Sequence, residues 1–358
     1  MQAMKKAILA AAIIFLSISS CKKAENPVSP SWELRGKIVY SLGYANSYKH
    51  GIYVLDLSSP NPHPRLLVDG GSEPRVSPDG RAIVFTTDSP IDICRIGIDG
   101  GGMSNLTEGG PIDSWPDWSA DGSKIVFARD SSPFETLWIM NADGSGLRQL
   151  TDTSYLATGP RWSPDGKSIA FLLRSPDNRY TSDLAFIDPH GIQITSVVKN
   201  VWMWPIEWFS TADYLLYMGR SNSFGFYSLY DLKGHTSRTI GLDGLRINKI
   251  HVWLGAEKLI IVGQTHEDSA ASHWSVYLTT IRDPSTVQKI ASGFSGIDDV
   301  AGSPDSSCVA VFGRIGGDKA LSLYVVKIGE WSVTKVATLD TSATAMIIDF
   351  SEPPQWIR

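Results

Sequence analysis

The chain has 358 residues, 19% of them charged and 42% hydrophobic, a balance that excludes both a disordered, highly charged polymer and a bundle of membrane-spanning helices. Its formal net charge of −5 argues against nucleic acid as a partner, because phosphate backbones demand a net basic face. The 32 Gly and 20 Pro are scattered in short turn clusters, and Trp, Tyr and Phe occur 12 times each; together these favour many short strands, so the expected class is all-β.

The first element is a leader. Lys5 and Lys6 precede the apolar run Ala7–Leu16 and the small polar stretch Ser17–Ser20, a pattern that predicts a signal peptide over residues 1–20. The apolar run measures roughly 15 Å as a helix, about half of what a bilayer core requires, so it is not expected to span. The segment Ile18-Ser19-Ser20-Cys21 resembles the lipobox of bacterial lipoproteins. That resemblance implies lipid attachment at Cys21 and a membrane partner reached through the lipid. Residues 21–31 contain Pro27 and Pro30 without apolar periodicity and read as a flexible tether, with the folded domain over 32–358. Lys22 after the lipidated Cys implies, by resemblance to the sorting rules of such lipoproteins, an outer-membrane location. The domain is expected on the periplasmic side, although the sequence leaves the face open. With Cys94 and Cys308, Cys21 makes three cysteines, too few for a disulfide framework in a chain of this size.

From residue 76 onward a repeat is visible. Val76-Ser-Pro-Asp-Gly80, Trp118-Ser-Ala-Asp-Gly122 and Trp162-Ser-Pro-Asp-Gly166 are each followed by an apolar triplet, Ile83-Val-Phe85, Ile125-Val-Phe127 and Ile169-Ala-Phe171. Fainter copies continue at Trp208, Trp253, Gly302 and Phe350, and the seven anchors are spaced 42, 44, 46, 45, 49 and 48 residues apart. Within a unit, the turn and triplet lead to a polar loop, a second alternating run such as Leu137-Trp-Ile-Met140, an Asp143-Gly144 turn and a third run. Four short strands per unit with Gly/Asp turns is the content of a propeller blade. The Asp-Gly pairs close turns and need no metal.

Seven anchor strands and seven following three-strand sets, starting near 37, 81, 123, 167, 213, 257 and 307, predict a seven-bladed β-propeller of four-stranded antiparallel blades. The first set lacks an anchor and the last anchor, Ala345–Phe350, lacks a set. The C-terminal strand is therefore expected to close the ring as the inner strand of the N-terminal blade, with six or eight blades as the alternatives if a degenerate unit is misread. On these repeats, over residues 37–352, the chain resembles the TolB-type propeller repeat, also found in the propellers of prolyl oligopeptidases.

Such oligopeptidases add an α/β-hydrolase domain of about 250 residues with a Gly-x-Ser-x-Gly elbow, and neither is present here. The seven His residues form no close-spaced metal signature, so neither a catalytic residue nor a cofactor or metal ligand is assigned. If strands run outward in order, the longer loops share one rim, where binding is expected. On that rim Arg129, Arg174, Arg220 and Arg314 recur just beyond the ends of second strands. Either they form a partial ring for carboxylate, sulfate or phosphate groups, or each pairs with an acid nearby, such as Asp130 or one on the next blade. Trp115, Tyr155, Trp202 and Trp204 lie in or beside loops of the same rim, as a sugar or peptide platform or as packing between blades. His266 and His273 flank Glu267 and Asp268 in a loop that is read either as a divalent-metal site or as a solvated polar loop. A resemblance to oligogalacturonate lyase, a propeller with a His- and Gln-held metal, adds Gln264 to that loop. The expected function is a lipid-anchored, non-enzymatic module of the cell envelope that binds a protein or an envelope polymer. The alternative is a polysaccharide lyase acting on uronate-containing glycans.

Overall fold

Each Ser-x-Asp-x turn folds around one serine hydroxyl. Ser77 Oγ donates to Asp79 Oδ1 at 2.6 Å and accepts the Ala82 N–H at 2.9 Å. Ser119, Ser163 and Ser303 repeat both bonds with Asp121, Asp165 and Asp305 and with the residue five positions on. Gly80, Gly122 and Gly166 take the left-handed conformation that ends the turn, at φ 71°, 70° and 73°, and Ser306 does so without being glycine, at φ 60°. These turns bring each first strand back alongside its second.

The computed structural model describes residues 34–44, 50–130, 132, 134–174, 182–191, 193–220, 225–253, 257–266, 268, 273–340, 346–348 and 355–357, all within the compact unit Leu34–Arg358. Cys21 and the segments 1–20 and 21–31 lie outside the described residues. Among the described residues no helix is long and apolar enough to cross a membrane.

Among the described residues the strands fall into five sheets whose neighbouring strands pair antiparallel. The first holds β1 (Lys37–Tyr44), β2 (His50–Asp56) and β3 (Arg65–Asp69). The second is β4 (Gly71–Val76), β5 (Ala82–Thr87), β6 (Ile93–Gly97) and β7 (Ser104–Asn105); the third is β8 (Asp113–Trp118), β9 (Lys124–Asp130), β10 (Glu135–Asn141) and β11 (Arg148–Gln149). The fourth runs through β12 (Leu156–Trp162), β13 (Ile169–Arg174), β14 (Ser182–Ile187), β15 (Ile194–Trp208), β16 (Tyr214–Arg220), β17 (Gly225–Asp231) and β18 (Thr236–Thr239). The fifth contains β19 (Leu245–Trp253), β20 (Lys258–Thr265), β21 (Trp274–Thr280), β22 (Gln288–Gly302), β23 (Cys308–Ile315), β24 (Leu321–Lys327) and β25 (Val333–Asp340). Finally β26 (Met346–Ile348) and β27 (Gln355–Ile357) both pair with β1.

β15 and β22, 15 residues each, are the last strand of one four-strand set and the first of the next. Trp202 and Trp204 therefore lie inside one strand, β15, rather than in a loop, at the irregularity between Val201 and Ile206 where its pairing with β16 shifts register. β4, β8 and β12 carry bulges at equivalent places, and Trp115 also sits within a strand, at φ 58°.

Second strands such as Ile83-Val-Phe85 are apolar on both faces because both faces are covered by neighbouring sets. Val84, Ile93, Trp118, Ile125 and Phe127 form one such interface, and Trp253, Ile260, Val309 and Val311 are part of another. First strands meet in succession: β1 with β4, β4 with β8, β8 with β12, β12 with β15, β15 with β19, β19 with β22, and β22 with β26 and β27. Gly302 stands where other units have Trp because a Cβ there would lie 2.2 Å from the Trp253 indole, whose Nε1 donates to Ser303 O at 2.8 Å. In the first set Trp356, paired with Ile38, takes the anchor place that the spacing assigns to Phe350, which lies outside the described residues.

Candidate functional site

The loop-rich rim is where the four arginines were expected, either as a partial ring or each paired with an acid nearby. They lie within strands β9, β13, β16 and β23 rather than beyond them. Arg129 is only 8% exposed and meets Asp113, its cross-strand partner on β8, in a two-point contact: Nε to Oδ1 at 2.7 Å and Nη2 to Oδ2 at 2.8 Å. Its guanidinium also lies over Trp138, 4.7 Å from the ring centre. The partner is thus Asp113, not Asp130. Arg314 holds Asp298 at 2.8 Å. Arg174 faces Glu135 of the preceding set, whose carboxyl is raised chiefly by burial while Thr158 and Arg174 pull the other way. The Arg220 and Trp204 side chains lie outside the described residues.

The aromatics divide. Trp115 packs on the cluster built from Val126, Leu137, Trp162 and Phe171, between two sets. Tyr155, just before β12, is 43% exposed, and Trp202 is 41% exposed.

The loop after β20 is organised by one carboxylate. Asp268 accepts from Lys289 Nζ at 2.9 Å, Tyr277 Oη at 3.1 Å and Ser275 Oγ at 3.2 Å. Burial would raise this carboxyl, but Lys289, Thr265 and Tyr277 hold it well below the usual carboxylate range. His266 and His273 are exposed beside it, Gln264 Nε2 donates to His273 O at 2.9 Å, and Glu267 lies outside the described residues. Among the described residues no three His, Cys, Asp or Glu side chains converge as metal ligands.

A second cluster was not anticipated. His251 on β19 sits between Glu207 on β15, Nδ1 to Oε1 at 2.7 Å, and Asp299 on β22, Nε2 to Oδ1 at 2.8 Å, with Lys249 Nζ 3.2 Å from Asp299 Oδ2. Burial disfavours the imidazolium, yet Asp299 and Glu207 outweigh it and push His251 up to about 10. Burial likewise opposes charge on Asp299, and Lys249 with His251 brings it down to about 2. The cluster ties three consecutive first strands together where they converge. Similar ties recur: Arg75 pairs with Asp117 at 2.8 Å, and Asp117, Glu207 and Gln355 each accept a backbone N–H of the next set, from Trp162, Val252 and Val76, at 2.7, 2.7 and 2.8 Å. A signal for them was present in the sequence, since polar residues stand immediately before the anchors at Arg75, Asp117, Arg161 and Glu207, a place where an apolar strand would otherwise continue.

Antiparallel four-strand sets meeting through their first strands define a β-propeller-type protein. The chain matches the PD40 family, TolB beta propeller domain, over residues 18–199, and it belongs to that family. No curated protein matches it in sequence. Among solved structures, an oligogalacturonate lyase in complex with manganese superposes with a TM-score of 0.63 at 13% identity, covering 86% of this chain and 87% of that one. The beta-propeller domain of the Trilobed protease from Pyrococcus furiosus, with its open velcro topology, gives 0.59 at 14% identity, covering 86% and 97%. The putative TolB from Agrobacterium tumefaciens gives 0.50 at 14% identity, covering 72% and 90%. At these identities the likeness is one of fold.

Proposed function

We propose that the protein is a lipid-anchored module of the cell envelope, held at the outer membrane through Cys21 and facing the periplasm, which binds a protein or an envelope polymer without transforming it. Its propeller has seven blades, closed by the C-terminal strands. The blade count rests on the four-strand sets, and the closure on the pairing of β26 and β27 with β1. The anchor rests on the leader and the Ile18–Cys21 segment.

One observation carries the choice of binding over catalysis. A lyase on uronate-containing glycans would need guanidinium groups free to neutralise a carboxylate beside the abstracted proton. Arg129 and Arg314 are held by Asp113 and Asp298, and Arg174 faces Glu135. Their positive charge is answered within the fold.

The test has two arms. The purified full chain, immobilised, is expected to retain specific material from solubilised envelopes, and to leave oligouronates uncleaved as followed by the absorbance of unsaturated products. Cleavage would reverse the assignment. Cys21→Ser is expected to abolish metabolic fatty-acid labelling, and label retained on that variant would remove the anchor.

A further inference from the structure

One arc of the loop-rich rim is built from loops that are acidic in sequence. Its loops read Asp88-Ser-Pro-Ile-Asp92, Leu106-Thr-Glu-Gly-Gly-Pro-Ile112, Asp130-Ser-Ser-Pro-Phe-Glu135 and Leu150-Thr-Asp-Thr-Ser-Tyr155. These loop sequences hold six carboxylates and no Lys or Arg, although Asp92 is buried against Asn105. The basic groups bordering these loops, His50, Arg129 and Arg174, face Asp88, Asp113 and Glu135. Glu108 and Asp152 are exposed.

The same arc exposes large apolar side chains. Ile91, Ile112 and Tyr155 are 36%, 49% and 43% exposed, and Trp202 follows on the next junction at 41%. Ile112 and Trp202 occupy one repeat position, six residues before the anchors Trp118 and Trp208, where a first strand begins at the mouth formed by these strands. Ile91 is the neighbour of Ile112, since its carbonyl accepts the Asp113 N–H at 3.0 Å. Large apolar side chains left half in water at an equivalent position on a rigid scaffold are what a partner covers.

We propose that this arc is the docking surface for a protein segment that carries both basic and apolar side chains, lying across the rim from Ile91 past Ile112 to Tyr155. The inference rests on the binding reading above and specifies its partner. The carboxylates select against an anionic glycan or an anionic lipid surface and speed encounter with a cation. The apolar side chains supply the contact area that carries the affinity.

The experiment uses the full chain in detergent and three labelled short peptides, alternating Leu with Lys, Leu with Glu, and Ser with Lys, alongside phosphatidylglycerol vesicles. Binding is read by fluorescence anisotropy. The Leu/Lys peptide is expected to bind best, with affinity falling as salt is raised. Ile112→Ser with Tyr155→Ser is expected to weaken it about tenfold, and Glu108→Gln with Asp152→Asn by a similar factor. Met103→Ser with Leu147→Ser, on turns of the opposite rim, is expected to change nothing. Equal binding of the Leu/Glu peptide, equal loss in the opposite-rim variant, or preference for the vesicles would overturn the assignment. Envelope material retained equally by the parent and the Ile112→Ser/Tyr155→Ser variant would also overturn it while sparing the binding reading. Failure of the parent to retain any envelope material would overturn both.

Discussion

Tyr40, on β1 near the start of the domain, and Phe312, on β23 near its end, lie with ring centroids 5.3 Å apart at an interplanar angle of 57°. Both are fully buried. Beside them the chain ends meet by hydrogen bonding as well: Gln355 takes the Val76 N–H and donates to Pro74 O, and Trp356 Nε1 donates to Arg35 O at 3.1 Å.

Deletion of Thr344–Arg358 is therefore expected to be a global lesion. It strips β1 of β26 and β27, leaving β2 as its one partner, and removes the Trp356 anchor, which leaves an unpaired edge and an opened wedge of core. Size-exclusion chromatography and thermal melting should report aggregation or gross destabilisation. A truncated protein that melts like the parent would refute closure by these strands.

Arg129 and Arg314 occupy similar places yet should respond differently to removal. Arg129→Met leaves the fully buried Asp113 carboxylate without its guanidinium, a loss of about 3–5 kcal/mol. Arg314→Ala opens a pair that solvent already reaches, for a loss of about 0–1 kcal/mol. Urea unfolding of the two variants measures the contrast, and equal losses would contradict the burial argument.

The His251 cluster makes stability depend on pH in a defined window. The His251 value is raised from 6.5 to about 10, so its stabilising charge is present in full below pH 6.5 and is lost as pH rises through 10. Asp299, lowered from 3.8 to about 2, contributes above 3.8 and loses its contribution as pH falls through 2. His251→Asn is expected to melt well below the parent at pH 6, with the gap narrowing toward pH 10. A gap that stays constant from pH 6 to 10 would show that His251 is not held as the imidazolium.

Ser306 ends its turn in a conformation that its counterparts Gly80, Gly122 and Gly166 adopt without steric cost. The left-handed region costs a residue with a Cβ about 1–2 kcal/mol, partly offset by the greater chain entropy that glycine loses on folding. Ser306→Gly should thus gain about 0.5–1 kcal/mol, visible as a rise in melting temperature, whereas Gly122→Ala should lose a similar amount.

The strand sets and their turns were legible in the sequence because they are local. A Ser hydroxyl, an Asp two residues on and a left-handed Gly close a turn through bonds that span five residues, and the apolar triplet after each turn marks a strand covered on both faces. The partners across sets were not legible. Arg129 finds Asp113 sixteen residues back only because the β8 bulge resets the register, and His251 meets Glu207 and Asp299 only because three first strands converge. Trp356 takes an anchor place for the same reason: its position is set by pairing with Ile38, at the far end of the chain. The arginines were a like case, since their recurrence along the sequence left an anion ring and local pairing with acids both open, and only burial and cross-strand register decided that Arg129 and Arg314 are paired.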